Sequence, residues 1–322
     1  MDAAFYCMSS ELYFLGAVGM INSLRLVGHG EPIYVLDLGM TPAHRALLDP
    51  HVTLVDSPGD EPPWLLKTVA PLRHPAQVRV LIDADMVVTR PLSPLIDEAA
   101  SGRTIAVDDN IDRFVPEWGD VLELGPVRER PYVSSGLVVL GGAEGDEVLE
   151  LVHERRDRIE FERSHFGARS EDDYPLLYLD QDVLNAVLAS RPDPALVVTL
   201  DARLAPVQPF RGLRVQDEET LRCAYEDGTE PYVLHHYLRK PWLEPMYHGA
   251  YSRLLARLLL GDDVAIKVPR DEVPLRMRSG LRARIERRRV DATDLARWYV
   301  RDVIPEWIGE RTGSRRRAPG SR

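Results

Sequence analysis

The sequence predicts an α/β fold, a mixed and mostly parallel sheet flanked by helices, with a basic helical C-terminal tail. Three observations predict it. Apolar runs typical of strands alternate with helical patterns over most of the chain. The polar residues Ser9 and Asp37 lie at the ends of predicted strands, where α/β sheets bind their ligands. The apolar run Val80–Val88, typical of a buried strand, contains two carboxylates, Asp83 and Asp85.

The individual elements follow from local patterns. Ala3–Met8 predicts a first strand, and Ser9 and Ser10 are good N-cap residues for a helix that continues to Leu24. Further strands are predicted at Ile33–Leu38, Val52–Val55, Val80–Val88, Thr104–Val107, Tyr132–Leu140, Leu196–Leu200 and Tyr232–His235. Further helices are predicted to begin at Thr41 and Asp180 and to cover Pro63–Leu72, Leu92–Ala100, Glu144–Arg163 and Ala250–Leu260. The polar segments Asn110–Pro131 and Ser164–Pro175 are predicted surface loops.

Charge divides the chain into two parts. The 322 residues carry a formal net charge of −11, which argues against broad nucleic-acid binding. Residues 265–322 contain 16 Lys and Arg against 8 Asp and Glu, whereas the remainder is strongly acidic. We therefore expect a main domain over residues 1–262 and a basic, mainly helical extension over residues 263–322, including a disordered end.

Cysteine usage and hydropathy predict the compartment. Cys7 and Cys223 are the only cysteines and lie far apart, so neither a disulfide framework nor a thiolate metal site is indicated. The apolar stretch Leu12–Ile21 is too short to span a bilayer and is predicted to be a buried helix. A cytoplasmic protein, peripheral to the membrane at most, is the expectation.

The carboxylates of Asp83 and Asp85 are costly in a buried strand unless a partner neutralises them. If the chain is extended there, both point to one side and Ala84 to the other. Two carboxylates about 4 Å apart repel by roughly 4 kcal/mol at an effective dielectric of about 20, so a divalent cation is a natural partner. The alternative is a strand that ends in a solvated, Asp-rich turn.

Four separated stretches, in order over roughly the first 245 residues, resemble one family. They are Ser9–Tyr13 with Asn22–Arg25, Leu81–Asp85 preceded by Lys67, Leu179–Asn185, and His235–Trp242. The chain resembles glycosyltransferases of the GT-A fold, a Rossmann-like fold of nucleotide-diphospho-sugar transferases. It is most similar to glycosyltransferase family 8, which includes glycogenin and bacterial lipooligosaccharide galactosyltransferases.

The resemblance implies a role for each matching residue. Asp83, Asp85 and His235 would bind Mn²⁺ or Mg²⁺, with His236 as the alternative histidine ligand. Asp85 would contact the metal and diphosphate most directly, while Asp83 would also serve the donor sugar or ribose. The remaining donor-binding residues would be Ser9, Tyr13 (stacked on the base), Lys67, Ala84, Ser134 and Lys240. Asp180, Gln181 and Asp182 would be the catalytic group, with Asp180 near the sugar or acceptor hydroxyls and Gln181 beside the anomeric carbon.

The resemblance further implies a hexosyltransferase that uses a UDP-hexose, a hydroxyl acceptor and retention of configuration. Gln181 is a weak nucleophile, which favours front-side attack by the acceptor. The chain departs from the family where Ser134 replaces the usual Asn, and where the histidine motif is shortened. These departures keep one alternative open, a non-catalytic nucleotide-sugar-binding protein on the same fold. A sugar nucleotidyltransferase is the other alternative, because such enzymes also use a nucleotide-binding α/β sheet with metal-binding carboxylates.

The basic tail has two interpretations. Arg282, Arg284 and Arg287–Arg289, close in sequence to Trp298, Tyr299, Ile304, Trp307 and Ile308, suit an anionic membrane surface that carries lipid-linked acceptors. The alternative is a solvated helix with a disordered end that includes Arg315–Arg317.

Overall fold

The structure is a computed structural model that describes residues 2–59, 61–191, 193–244 and 249–298, with the backbone alone at residues 291–298. The strands are β1 (Ala3–Ser9), β2 (Ile33–Asp37), β3 (Thr53–Asp56), β4 (Val78–Ile82), β5 (Met86–Val88), β6 (Thr104–Asp108), β7 (Val133–Gly141), β8 (Val197–Leu200), β9 (Arg214–Asp217), β10 (Arg222–Ala224) and β11 (Val233–His235). The helices are α1 (Phe14–Leu26), α2 (Pro42–Leu48), α3 (Val69–Arg73), α4 (Ser93–Ala99), α5 (Trp118–Val121), α6 (Gly142–Arg155), α7 (Asp180–Ser190), α8 (Gly249–Leu260) and α9 (Leu281–Trp298).

A seven-stranded sheet in the order β3-β2-β1-β4-β7-β6-β8 forms the centre. β7 runs antiparallel to β4 and β6, and the other neighbouring pairs are parallel. Successive side chains of a strand face opposite sides, so Phe5 and Cys7 enter one core while Ala4 and Tyr6 enter the other. Helices α1, α4 and α8 cover the first face, and α3, α6 and α7 cover the second. The predicted mixed, mostly parallel sheet flanked by helices is confirmed.

The run Val80–Val88 is not one strand. β4 ends at Ile82, and the amide of Met86 donates to the carbonyl of Asp83 across a turn at 3.1 Å. β5 then leaves the central sheet and pairs antiparallel with β11. Of the two conformations that the sequence leaves open at Asp83–Asp85, the structure has the turn, because the chain changes partner strand there.

The predicted surface loop 110–131 contains a buried anchor. Trp118 is 2% exposed and lies in α5, and its indole donates to the carbonyl of Pro175 at 2.7 Å. Leu122 is fully buried in the same cluster, which also includes Val183 of α7. The surface assignment is wrong for these residues, since this segment forms a third, smaller core with the loop before α7.

Several predicted boundaries change. The helix expected over Pro63–Leu72 is a 3-10 turn at Pro63–Leu65 followed by α3, and the helix expected to reach Arg163 ends at Arg155. The hairpin β9–β10 was not predicted.

Residues that follow position 262 pack on the main core. The Asn22 side-chain amide of α1 donates to the carbonyls of Leu258 and Ile266 and accepts from the amide of Ile266. Ile266, Val273 and Met277 are buried in the same cluster as α1 and α8. The domain boundary at 262 stays a prediction. Of the predicted tail features, Tyr299, Ile304, Trp307, Ile308 and Arg315–Arg317 lie outside the described residues.

Among the described residues, no helix has both the length and the apolar character that crossing a membrane requires.

Candidate functional site

A cleft opens where β1, β2 and β4 end and the antiparallel β7 begins. Its volume is about 310 Å³. The predicted site residues that line it are Ser9, Tyr13, Lys67, Asp83, Ala84, Asp85 and Asp180. Residues from distant parts of the chain meet here because parallel neighbouring strands bring their carboxyl ends to one edge of the sheet.

Asp83, Asp85 and His235 form a compact cluster at the cleft. Each offers one ligand atom, and these atoms lie within 4.8 Å of one another. His235 Nε2 is 3.3 Å from Asp85 Oδ1 and 4.0 Å from Asp83 Oδ2. The register explains the meeting: β11 places His235 opposite Met86, the residue that follows Asp85. The turn between β4 and β5, rather than the alternation of side chains along one strand, therefore brings Asp83 and Asp85 together.

The cluster fits a divalent cation. Asp85 Oδ1 is buried and has no hydrogen-bond partner among the described residues, although His235 Nε2 is close to it. A buried carboxylate oxygen without a partner is costly unless another group binds it. Carboxylate oxygen with one imidazole nitrogen suits Mn²⁺ or Mg²⁺ rather than a soft metal.

Lys240 and His235 keep Asp85 ionised. Burial acts to raise the pKa of Asp85, but His235 and Lys240 outweigh it and hold the pKa well below its usual range. The Lys240 ammonium is paired with Asp85 Oδ2 and also donates to the carbonyl of His236 at 2.7 Å. Lys240 is 6% exposed, so its ammonium group is held in a buried position beside Asp85.

His236 does not join the cluster. Its backbone amide donates to the carbonyl of Asp85 at 3.1 Å, while its ring packs against Phe210 and Tyr251. Burial, with the nearby Lys240 charge, lowers the pKa of His236 to about 4. The structure therefore brings His235, and not His236, to the two carboxylates.

Two glycines permit the close approaches around the cluster. A Cβ at Gly136 of β7 would lie 2.9 Å from His235 Cε1 and 3.2 Å from Asp83 Oδ2. A Cβ at Gly16 of α1 would lie 2.6 Å from the carbonyl oxygen of Ala84. Side chains at either position would push into the turn that carries the carboxylates.

Lys67 connects the acidic residues. Its ammonium is 2.8 Å from Asp83 Oδ1 and 3.8 Å from Asp180 Oδ2, and it donates to the carbonyl of Ser135 at 2.7 Å. Burial acts to lower the pKa of Lys67, but Asp83 and Asp180 outweigh it and the pKa is raised. Lys67 is therefore a fixed positive charge between the two acidic motifs.

Asp180 and Gln181 begin α7 beside this lysine. Burial raises the pKa of Asp180, although Lys67 opposes the effect. The Gln181 amide nitrogen donates to Asp109 Oδ2 at 2.8 Å, and its oxygen accepts from the amide of Ser135 at 3.1 Å. Both ends of the Gln181 side chain are thus oriented by protein groups.

Asp182 points away from the cleft. It is 0% exposed and is held by Arg113, by the hydroxyl of Tyr132 at 2.8 Å and by the amide of Tyr178 at 2.7 Å. Burial raises the pKa of Asp182, against the effect of Arg113. These contacts join α7 to the 110–131 segment, which is a structural role.

The remaining predicted donor residues lie around the cleft. Tyr13 is 37% exposed, and Lys240 Nζ lies 5.4 Å from the centre of its ring. Ser9 is buried at the end of β1. Ser134 Oγ accepts from the amide of Gly136 at 3.2 Å, and Ser134 lines a neighbouring pocket of about 240 Å³.

Sequence reasoning missed three residues of the site. Ser135 and Trp64 line the cleft. Asp109 lines the neighbouring pocket and accepts the hydrogen bond from the Gln181 side chain. Asp109 carries a usable signal, because it follows β6 at the same edge of the sheet. Burial raises the pKa of Asp109, although its bond with Gln181 acts in the opposite direction. Nothing local distinguishes Trp64, which sits in a proline-rich segment.

No protein-family model matches the sequence, and no curated protein matches it. Solved structures do resemble it in fold. The galactosyltransferase LgtC, in complex with donor and acceptor sugar analogs, superposes with a TM-score of 0.52 and 16% identity over 83% of this chain and 98% of LgtC. An active-site mutant of LgtC gives a TM-score of 0.52 and 14% identity with the same coverage of both chains. The chain has the GT-A glycosyltransferase fold.

Proposed function

We propose that the protein is a metal-dependent glycosyltransferase that moves a hexose from a UDP-sugar to a hydroxyl acceptor with retention of configuration. One observation carries the proposal: the Asp83–Asp85–His235 cluster lies in the same cleft as the Lys67–Asp180 pair. A cation site and a group suited to sugar hydroxyls are thereby adjacent.

The order of strands supports a direction for the donor. From β2 through β1 and β4 to β7, the edge presents Leu38, then Ser9, then Asp83, then Ser135. Placed along this edge, the nucleoside lies beside Tyr13 and the end of β1, the diphosphate at the cluster, and the sugar between Ser135 and Asp180. The acceptor then approaches from the side of Asp109.

The chain's own charges suit departure of a nucleoside diphosphate. Asp83, Asp85 and His235 would hold Mn²⁺ or Mg²⁺, which when bound supplies positive charge beside the diphosphate. Lys240, fixed against Asp85, adds a second positive charge where negative charge develops. Lys67 and Asp180 orient the sugar through its hydroxyls.

Gln181 supports attack by the acceptor itself. An amide is a weak nucleophile, and both ends of this one already bind Asp109 and Ser135. Gln181 therefore acts as an orienting group beside the anomeric carbon. Retention, which the sequence resemblance implies, then arises from front-side attack, and NMR of the product's anomeric configuration tests it; an inverted product rejects it.

Release of UDP tests the reaction class. Wild-type protein with Mn²⁺ and a panel of UDP-sugars is expected to release UDP, while Asp85→Asn should reduce the metal-dependent rate by about 100-fold or more. Asp217→Asn, at an exposed position on β9, is the matched control and should retain the wild-type rate. Near-normal turnover by Asp85→Asn contradicts the assignment.

A pyrophosphate-release assay and a binding assay separate the alternatives. A sugar nucleotidyltransferase would release pyrophosphate from a nucleoside triphosphate and a sugar phosphate, and Ser9-Ser10-Glu11 stands where such enzymes carry a glycine-rich, basic loop. A non-catalytic binding protein would bind UDP-sugars in the presence of Mn²⁺ but would not release UDP, whichever acceptor is added.

We also propose that α9 contacts an anionic membrane surface that carries the acceptor, on its cytoplasmic side. Leu281 and Ile285, one helical turn apart, are 65% and 59% exposed. Arg282, Arg284 and Arg288 are exposed beside them. Apolar and basic side chains on one exposed helix surface are typical of interfacial binding.

Flotation with vesicles tests this contact. The full chain is expected to float with vesicles that contain phosphatidylglycerol and not with neutral ones, and Leu281→Ser with Ile285→Ser should abolish flotation. Leu243→Ser, an exposed apolar position outside α9, serves as the control. Equal behaviour of wild type and the double variant rejects the membrane role.

A further inference from the structure

Trp64 occupies a position in the cleft that the proposed chemistry leaves unused. It lines the cleft, and it also lines the small apolar cavity behind it, together with Lys67, Ser135 and Asp180. The indole is therefore at the end of the cleft that contains Lys67 and Asp180.

Lys67, Ser135 and Asp180 offer polar groups, and Trp64 offers the apolar surface beside them. A hexose has the matching character, because hydroxyls form its rim while its C–H groups form apolar patches on its faces. Sites for small polar ligands commonly combine a few placed polar groups with an aromatic wall. Around this end of the cleft, Trp64 is the aromatic residue that supplies such a wall.

The indole is held in place before any ligand binds. Its ring stacks on Phe161 with centroids 4.4 Å apart and planes 11° from parallel. The 3-10 turn that carries it is closed by the Leu65 amide, which donates to the carbonyl of Pro62 at 2.9 Å, and Arg156 binds the carbonyl of Leu65. A wall fixed in advance loses little conformational entropy on binding.

We propose that Trp64 is the apolar wall of the hexose subsite and sets how much the sugar, as distinct from the nucleotide, contributes to donor affinity. The proposal rests on the proposed function, because it presumes a UDP-hexose in this cleft. It predicts that losing the indole weakens the binding of UDP-hexoses and leaves the binding of UDP unchanged.

Calorimetric titration in Mn²⁺ with UDP, UDP-glucose and UDP-galactose tests it. For the better-bound UDP-hexose, the ratio of its affinity to that of UDP should fall about tenfold in Trp64→Ala, within the range for a lost aromatic contact. Trp64→Phe keeps an aromatic face and should restore most of the ratio. Phe166→Leu, at an exposed position that does not line the cleft, is the control and should keep the wild-type ratio.

The outcomes separate the two proposals. Wild type that binds neither UDP nor a UDP-hexose overturns the proposed donor, and the hexose subsite with it. Wild type that binds a UDP-hexose, with an unchanged ratio in Trp64→Ala, overturns the role of Trp64 alone. Equal weakening of UDP and UDP-hexose, or the same drop in Phe166→Leu, also overturns it, because the effect then does not come from a contact between the indole and the sugar. Circular dichroism confirms that each variant is folded.

Discussion

Gly136 shows how one missing side chain determines the shape of the Asp83–Asp85–His235 cluster. It faces His235 and Asp83 from β7, and the space for a methyl group is absent. The geometry of Asp83, Asp85 and His235 therefore depends on a residue that has no side chain.

Gly136→Ala should displace the His235 ring and weaken Mn²⁺-dependent binding of UDP by about tenfold, since overpacking a tight site costs about 1–3 kcal/mol. Calorimetry with UDP, with and without Mn²⁺, measures the effect. Gly30→Ala is the control, because nothing lies within 4 Å of the added Cβ. Wild-type affinity in Gly136→Ala would show that the cluster adapts.

Substitutions at Asp180 and Asp182 should have different effects, one on activity and the other on stability. Asp182→Ala leaves Arg113 without its buried partner and is expected to lower the free energy of unfolding by about 3 kcal/mol. Asp180→Asn removes a carboxylate whose charged form is disfavoured by burial, so stability should change by less than about 1 kcal/mol while UDP release falls. Urea denaturation and the release assay measure the two effects, and a stable Asp182→Ala contradicts its structural role.

At the scale of elements, the loop 110–131 is better understood as part of a core. Its proline and glycine content predicts a loop, and composition carries no sign of the partner that Trp118 finds at Pro175. The same reason explains why the sequence leaves open whether Asp83–Asp85 is extended or a turn, because the apolar run continues across it. The hydropathy of a short segment does not show where the chain stops pairing with one strand and begins to pair with another.

Trp118→Ala should therefore lower the free energy of unfolding by about 3–5 kcal/mol, the usual cost of truncating a buried aromatic residue. Phe166→Ala, in the neighbouring loop with 63% exposure, should change it by about 0.5 kcal/mol or less. Urea denaturation compares the two variants. Similar small effects would place Trp118 at the surface after all.

For the molecule as a whole, the sequence predicts the sheet and most strand positions because each strand is a local apolar run. It also predicts the members of the cluster, since Asp83, Asp85 and His235 stand in recognisable motifs. What it does not predict depends on three-dimensional proximity: the inward-facing Asp182, and the presence of Trp64 and Asp109 at the site.

The segment after residue 262 supplies a test at this scale. A chain that ends at residue 262 loses the buried Ile266, Val273 and Met277, so its Tm should fall by at least about 10 °C. A chain that ends at residue 280 keeps them and should lose much less. Thermal unfolding followed by circular dichroism compares both with the full chain, and equal Tm values would support an independent domain that ends at 262.

The change of partner between β4 and β5 places members of the Asp83–Asp85–His235 cluster on two separate sheets. Asp83 extends from the seven-stranded sheet, whereas His235 belongs to the two-stranded ribbon of β5 and β11. The distance between Asp83 and His235 then depends on how the two-stranded ribbon packs against the seven-stranded sheet. Repacking the ribbon at Val88 or Val233, which are buried and paired across it, is therefore expected to change the distance between Asp83 and His235 while all three side chains of the cluster stay intact.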